Sequence, residues 1–286
     1  MLAPSLSNAL TIDVEDYFQV SAFAPYIRRD EWDTRECRVE RNVGRILELL
    51  AERDVKATFF TLGWIAERYP RLVHDIVAGG HELASHGYGH QRASDLSHDE
   101  FSDDITRAKK ILEDLSGQAV RGYRAPSFSI GVGNLWAFDA LAAAGYEYSS
   151  SIYPIRHDHY GMPDSPRFAY RVGAGLLEVP VTTLRLFNRN LPSSGGGYFR
   201  LLPYPLSRWM ISKVNRDDGE PAVFYFHPWE IDVEQPRVAG IDAKTRFRHY
   251  VNIDRMESRL QQLLGDFRWG RMDQIFLPQR AAATLA

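Results

Sequence analysis

The chain has 286 residues, a length that fits one α/β barrel or two small domains. Its 44% hydrophobic and 25% charged residues are ordinary for a globular protein with a substantial core, which argues against a disordered chain. With 34 Lys and Arg against 37 Asp and Glu, the formal charge of -3 lacks the basic footprint of a nucleic-acid or membrane-surface binder.

The single cysteine, Cys37, rules out an intrachain disulfide and a cysteine-based zinc site. It lies in a charged stretch, Asp33-Thr34-Arg35-Glu36-Cys37-Arg38, and reads as an unreactive surface residue. The opening stretch has neither the basic region nor the apolar run of a secretion signal. No segment has the length and apolarity of a transmembrane helix. The expectation is a cytoplasmic location.

Strand-like and helix-like segments alternate along the chain. A short apolar, β-branched run predicts a strand at 9–14, and Val43, Ile46, Leu47 and Leu50 recur at helical spacing within 42–53. A strand at 55–62 and a helix at 71–78, stopped by Gly79-Gly80, come next. After a strand at 81–85, the clearest helix spans 98–115, with a capping box at Ser97 and Glu100 and Gly117 past its end. A strand at 120–124 stops at Pro126, and a helix at 135–144 leads to a strand at 146–150. Residues 152–175, rich in Pro, His and Asp, read as a loop. A strand at 176–181, a loop through Ser193-Ser194-Gly195-Gly196-Gly197, a helix at 204–214, a strand at 222–227 and a helix at 254–267 complete the series. Seven strands alternating with helices imply a parallel sheet, either an irregular barrel or an open doubly wound sheet. No linker divides the chain, so one domain over 1–286 is expected.

Polar residues gather where predicted strands end, which is where parallel barrels place reacting groups. Asp13, Glu15 and Asp16 follow the first strand, His86 and His90 the third, Arg124 ends the fourth and His227 the seventh. Groups from four strand ends suit a barrel mouth better than an open sheet. In His86-Gly87-Tyr88-Gly89-His90, two imidazoles four residues apart would share one face of a helical turn and hold one metal. A carboxylate of the first cluster would complete a site that leaves coordination positions open. Two solvated histidines are the plainer reading of such a pair standing alone, and His74 and His98 read that way. His157 and His159 fit either the rim of the site or a polar loop. Asp13 at the end of an apolar strand is costly to bury unless paired, and Arg124 is the candidate partner that would orient it as a base.

Taken together, these residues resemble the polysaccharide deacetylase family, which shares the NodB homology domain. Thr11-Ile12-Asp13-Val14-Glu15-Asp16 is similar to its first motif and Ser85-His86-Gly87-Tyr88-Gly89-His90 to its metal motif. Arg124-Ala125-Pro126 and Phe226-His227-Pro228 are similar to its later motifs. The resemblance covers about residues 8–230 and implies an irregular (β/α)7 barrel, with 230–286 as a C-terminal extension. Tyr153-Pro154-Ile155-Arg156-His157-Asp158, Gly195-Gly196-Gly197-Tyr198-Phe199-Arg200 and Arg246-Phe247-Arg248-His249-Tyr250-Val251-Asn252 also resemble a subfamily found with exosortase and exopolysaccharide gene clusters.

What the resemblance implies is hydrolysis of the N-acetyl group of an amino sugar in an oligo- or polysaccharide, with zinc or another divalent metal. Asp13 would be the base, His227 the acid and Arg124 the residue that fixes Asp13. His86, His90 and a carboxylate would hold the metal. Strand alternation favours Glu15 for that carboxylate, with Asp16 the second choice. Tyr17, Phe18, Tyr88, Tyr123, Pro126, Phe128 and Trp229 flank the motifs as candidate sugar contacts, and core packing is the competing reading of each. Where the family usually has an acidic residue near the end of strand five, this chain has Ser149-Ser150-Ser151. Two rival readings are an allantoinase-like opening of cyclic amides on the same fold and a non-catalytic carbohydrate-binding protein.

Overall fold

The structure, a computed structural model, describes residues 6–157 and 160–278. Eleven strands follow in chain order: β1 (Ser7–Val14), β2 (Thr58–Thr61), β3 (Glu82–Ser85), β4 (Gly122–Tyr123), β5 (Tyr148–Ser149), β6 (Tyr170–Val172), β7 (Leu176–Glu178), β8 (Thr183–Leu186), β9 (Arg189–Pro192), β10 (Val223–Phe226) and β11 (Arg268–Gly270). The main sheet runs β10-β1-β2-β3-β4-β5-β7-β6, with β11 added to the start of β1. Every pairing in it is parallel except β6 with β7.

The seven expected strands are β1, β2, β3, β4, β5, β7 and β10, curled into a half-barrel of the expected (β/α)7 type. No ladder joins β7 to β10. Thr182 spans the seam instead, its Oγ1 accepting from the Val223 amide at 2.6 Å. The β8–β9 hairpin lies beyond this seam and pairs only with itself.

Two apolar layers hold the sheet. The larger packs its outer side against helices such as Val39–Ala51 and His98–Ser116, through Ile46, Leu50, Phe101, Ile105 and Leu112. The second lies within the curl, where Ala9, Phe60, Ala84, Tyr148, Leu177 and Val223 meet Met272 and Leu277. Helix Met272–Phe276 thus plugs one end of the sheet. Glu82 ties the plug down by accepting from Thr58 Oγ1 at 2.6 Å, the Tyr148 hydroxyl at 3.0 Å and the Asp273 amide at 3.1 Å. Because Met272 is fully buried, Met272→Ala is expected to cost about 2–5 kcal/mol, read from the urea midpoint.

The expected capping box is present, with Ser97 Oγ and the Glu100 side chain satisfying each other's backbone amides and Gly117 closing the helix at φ 66°. Other local expectations are revised. Residues 152–175 are not all loop, since β6 lies among them. Helix Gly63–Arg68 directly follows β2. The β8–β9 turn places Phe187 and Asn188 at φ 49° and 58°, a left-handed pair that a phenylalanine does not advertise. His159 falls outside the described residues.

Candidate metal and catalytic site

Pleat alternation along β1 turns Thr11 and Asp13 toward the same buried guanidinium. Arg124 donates through one terminal nitrogen to Thr11 Oγ1 at 2.8 Å and to Asp13 Oδ1 at 2.6 Å. Its other nitrogens reach the Ser150 carbonyl at 3.1 Å and Ser150 Oγ at 2.9 Å. Phe60 lies beneath, with the guanidinium carbon 4.2 Å from its ring centroid. Arg124 is wholly buried and Asp13 nearly so, so each charge depends on the other.

The chain leaves β1 at Val14, and Glu15 then meets the turn after β3. Glu15, His86 and His90 each present a ligand atom within 4.8 Å of the others. The turn is not the expected helical one. Gly87 and His90 take positive φ of 75° and 54°, and this irregular path swings the second imidazole back to a ring-centroid distance of 5.3 Å from the first. A Cβ at Gly89 would fall 1.3 Å from an Arg29 guanidinium nitrogen, so a side chain there would displace that guanidinium. That arginine donates to the Gly89 carbonyl at 2.7 Å and so pins the turn.

The donor set suits a divalent cation. His86 Nδ1 lies 2.8 Å from the Arg124 carbonyl, which can only accept, so Nε2 keeps its lone pair for a metal. Glu15 Oε2 is buried 2.5 Å from His90 Nε2, yet forms no well-directed hydrogen bond. Burial alone would raise the Glu15 carboxyl, but the His90 and His227 imidazoles outweigh it and hold the group below the usual carboxylate range. Burial pushes His86 down to about 4, favouring the neutral, ligating imidazole. Two imidazoles and one carboxylate leave coordination positions free, as catalytic zinc sites do.

His227 follows β10 and closes the other side. Its Nε2 is 3.6 Å from Glu15 Oε1, and its Nδ1 is 2.7 Å from Glu230 Oε1. Its side chain is 20% exposed while Glu15 is 2% exposed, so the histidine is the member that reaches solvent. Burial would lower it, but the carboxylates of Glu15 and Glu230 lift it to about 9. Glu230 is held in turn by Arg200, whose Nε donates to Oε2 at 2.7 Å. Gly196 lets the backbone pass this carboxylate, since a Cβ there would come 2.1 Å from Glu230 Oε1.

Several candidates stand elsewhere. Asp16 faces away from the imidazoles and acts as a cap. It accepts from the Tyr17 amide at 2.7 Å, the Val39 amide at 2.8 Å and the Arg38 amide, joining a 3-10 turn to helix Val39–Ala51. This occupies its carboxylate with local backbone donors and leaves Glu15 as the carboxylate beside the histidines. Cys37, half-buried, donates to Asp16 at 3.1 Å, and burial pushes its thiol up to about 12. Tyr17, Phe18 and Tyr123 are buried in the outer core. Tyr88 is taken by Arg107 over its ring at 3.5 Å and by Glu67, to which its hydroxyl donates at 2.7 Å. Pro126 is buried at the start of a short 3-10 turn. Phe128 does lie beside the site, 4.9 Å from Tyr225 and 5.7 Å from the Arg124 guanidinium. Trp229 is no open platform. It is buried, stacks on His227 at 5.2 Å and on His249 at 4.1 Å, and donates Nε1–H to Glu15 Oε1 at 3.2 Å.

Glu230, Arg200 and His249 were not among the expected site residues. The sequence carried one signal for Glu230, an acid three residues after the histidine in His227-Pro228-Trp229-Glu230. The acid missing from the end of β5 has a counterpart across the sheet. Glu178 pairs in register with Ser149 and accepts from the Ser151 and Ile152 amides at 2.9 and 2.8 Å. Burial raises Glu178 from 4.5 to about 7, so the fold binds its proton more tightly than the unfolded chain does. That contribution is complete below pH 4.5 and is lost as pH rises through 7. The neutral variant Glu178→Gln should therefore lose less stability than the wild type across this window, measured as urea midpoints against pH. Parallel curves would count against it.

Fold and site together define a curled parallel α/β protein with a two-histidine, one-carboxylate cluster at its strand ends that could hold a cation. Residues 31–149 match the polysaccharide deacetylase family, and residues 150–277 match a domain of unknown function, DUF3473. The first segment is thus similar to polysaccharide deacetylases over somewhat less than half of the chain. A peptidoglycan-N-acetylglucosamine deacetylase of Bacillus cereus is 38% identical over 82 residues, 29% of this chain and 30% of that protein. A chitooligosaccharide deacetylase of Azorhizobium caulinodans is 34% identical over 82 residues, 28% of this chain and 39% of that protein. The matched part is thus well under half the length of these relatives. Among solved structures, a Mycobacterium smegmatis protein assigned as a polysaccharide deacetylase superposes with a TM-score of 0.58 at 20% identity, covering 96% of this chain and 93% of that one. The Puue allantoinase superposes at 0.60 with 15% identity, covering 93% and 87%. Both likenesses show the fold. No described helix is long and apolar enough to cross a membrane.

Proposed function

We propose that the chain is a hydrolase of non-peptide carbon–nitrogen bonds that removes the N-acetyl group from amino sugars in an oligo- or polysaccharide, using a divalent metal. The observation that carries this is Glu15 meeting His86 and His90 within 4.8 Å, beside the Asp13–Arg124 pair. In this reading Glu15, His86 and His90 hold the cation, with zinc the first candidate. A bound divalent cation supplies polarisation of the acetamide carbonyl and a more acidic water. Asp13 takes the proton of the attacking water on its carboxylate, and Arg124 keeps that carboxylate aimed. His227 delivers a proton from Nε2 to the departing amine. Glu230 keeps the Nδ1 proton of His227 in place, and Trp229 holds Glu15 from the far side.

The names of the relatives, which act on peptidoglycan and chitooligosaccharides, support an N-acetylated glycan as substrate. An exopolysaccharide substrate is the finer reading, supported by the subfamily-like segments at 153–158, 195–200 and 246–252. The chain is also read as one domain, supported by the return of β11 from the last segment to pair with β1.

Metal content and acetate release from N-acetylglucosamine oligomers test the proposal together. Wild type should carry about one divalent ion and release acetate, and His86→Ala should lose both. A wild type that is metal-free and acetate-silent would sink the proposal, and turnover of allantoin instead would move the reading to cyclic amides.

A further inference from the structure

Residues from the 237–251 segment line an open concavity of about 640 Å³ that includes no residue of the Glu15 cluster. Arg237, Arg246, Phe247 and Tyr250 form much of its wall, and no carboxylate lines it. Phe247 stands 57% exposed on helix Ala243–Tyr250, an open aromatic face in a helix otherwise rich in charge. Arg237 lies 4.1 Å over the ring of Tyr250, whose hydroxyl accepts from the Val238 amide at 3.0 Å, so the far wall is fixed. Among the described residues, neither Arg237 nor Arg246 is paired with a carboxylate. In a chain of formal charge -3, that leaves a locally positive pocket with an apolar floor.

The same helix builds the catalytic wall. His249 stacks on Trp229 at 4.1 Å, and Trp229 donates to Glu15. Arg200 takes the His249 and Val251 carbonyls at 2.8 and 2.7 Å while it grips Glu230. The concavity and the Glu15 cluster are thus joined through one packed wall, His249–Trp229 and Arg200.

We propose that the concavity is a subsite for an anionic sugar ring of the substrate polymer, its acid group on Arg237 and Arg246 and its apolar face on Phe247. Guanidinium forks match carboxylates in geometry, and a flat aromatic face accepts the C–H face of a pyranose. This rests on the glycan reading above and adds that the polymer bears acidic residues.

The probe is an oligomer of hexuronic acid without acetamide groups, titrated by calorimetry into the full chain. Wild type should bind it, and the double variant Arg237→Gln/Arg246→Gln should bind about tenfold more weakly or worse, with Phe247→Ala also weakened. Urea midpoints confirm that these surface variants fold. No binding by wild type, equal binding by the variants, or equally tight binding of inorganic phosphate would overturn the subsite. A preference for phosphatidylglycerol vesicles over the oligomer would overturn it too. Acetate release by wild type from neutral N-acetylglucosamine oligomers is read in parallel. Tight binding of the uronate by a wild type that holds no metal and releases no acetate would leave the subsite standing and remove the hydrolase reading.

Discussion

Asp13→Asn should lower kcat/KM for acetate release by about 10²–10⁴-fold while bound divalent metal stays at the wild-type level. The amide is isosteric and keeps an oxygen for the 2.6 Å bond from Arg124, so the side chain stays aimed. It cannot take the water's proton. Metal should be retained because the group that could hold it is Glu15, His86 and His90, which does not include Asp13. The substitution also leaves a fully buried guanidinium without its counter-charge, at a cost of about 3–5 kcal/mol. Kinetics should therefore be measured well below the variant's own melting temperature. Turnover near the wild-type value in a folded, metal-loaded variant would remove Asp13 as the base. Loss of metal along with activity would instead place Asp13 among the ligands.

The sequence reading reached the groups that local chemistry announces. Asp13, His86, His90, Arg124 and His227 are polar residues set against apolar strands, and burying such groups demands partners. Alternation favoured Glu15 over Asp16, yet β1 ends at Val14, and what parts the two in the fold is that Asp16 caps the following turn and helix. Some features depend on contacts between distant segments. Trp229 lies next to a motif and looks like a sugar platform, yet His227 and His249 stack on it. Only the tertiary packing of 243–250 against it reveals that. Tyr123 ends β4 just before Arg124 and points to the opposite layer, while Tyr17 lies in the 3-10 turn capped by Asp16. Both pack in the outer core, the competing reading of each. The extra strands were hidden by their length and by their turn residues. β11 has three residues, and the β8–β9 turn uses Phe187 where glycine or asparagine would have signalled a hairpin.

The position of Glu230 yields the second large effect. Glu230→Gln should lower kcat by about 10²-fold or more with little change in KM and full metal content, by the logic that a carboxylate fixes the tautomer of a catalytic histidine. Arg200 Nε donates to Oε2, so a glutamine must turn its carbonyl toward Arg200. Its amide nitrogen then faces both the His227 backbone N–H, now 3.1 Å from Oε1, and His227 Nδ1, now 2.7 Å away. Two donors meeting there force Nδ1 to become the acceptor, and the ring can no longer hold protons on both nitrogens to give one away. Arg200→Met makes the contrasting case. It strips Glu230 of its buried counter-charge and leaves the Arg248, His249 and Val251 carbonyls without their donor, so stability should fall by about 3–5 kcal/mol. Glu230→Gln also leaves the buried Arg200 guanidinium without its counter-charge, so both variants lose stability. If Glu230 acts through the proton of His227, the glutamine variant loses turnover outright even when measured fully folded. Turnover falling only as the folded fraction falls would reduce Glu230 to a packing residue.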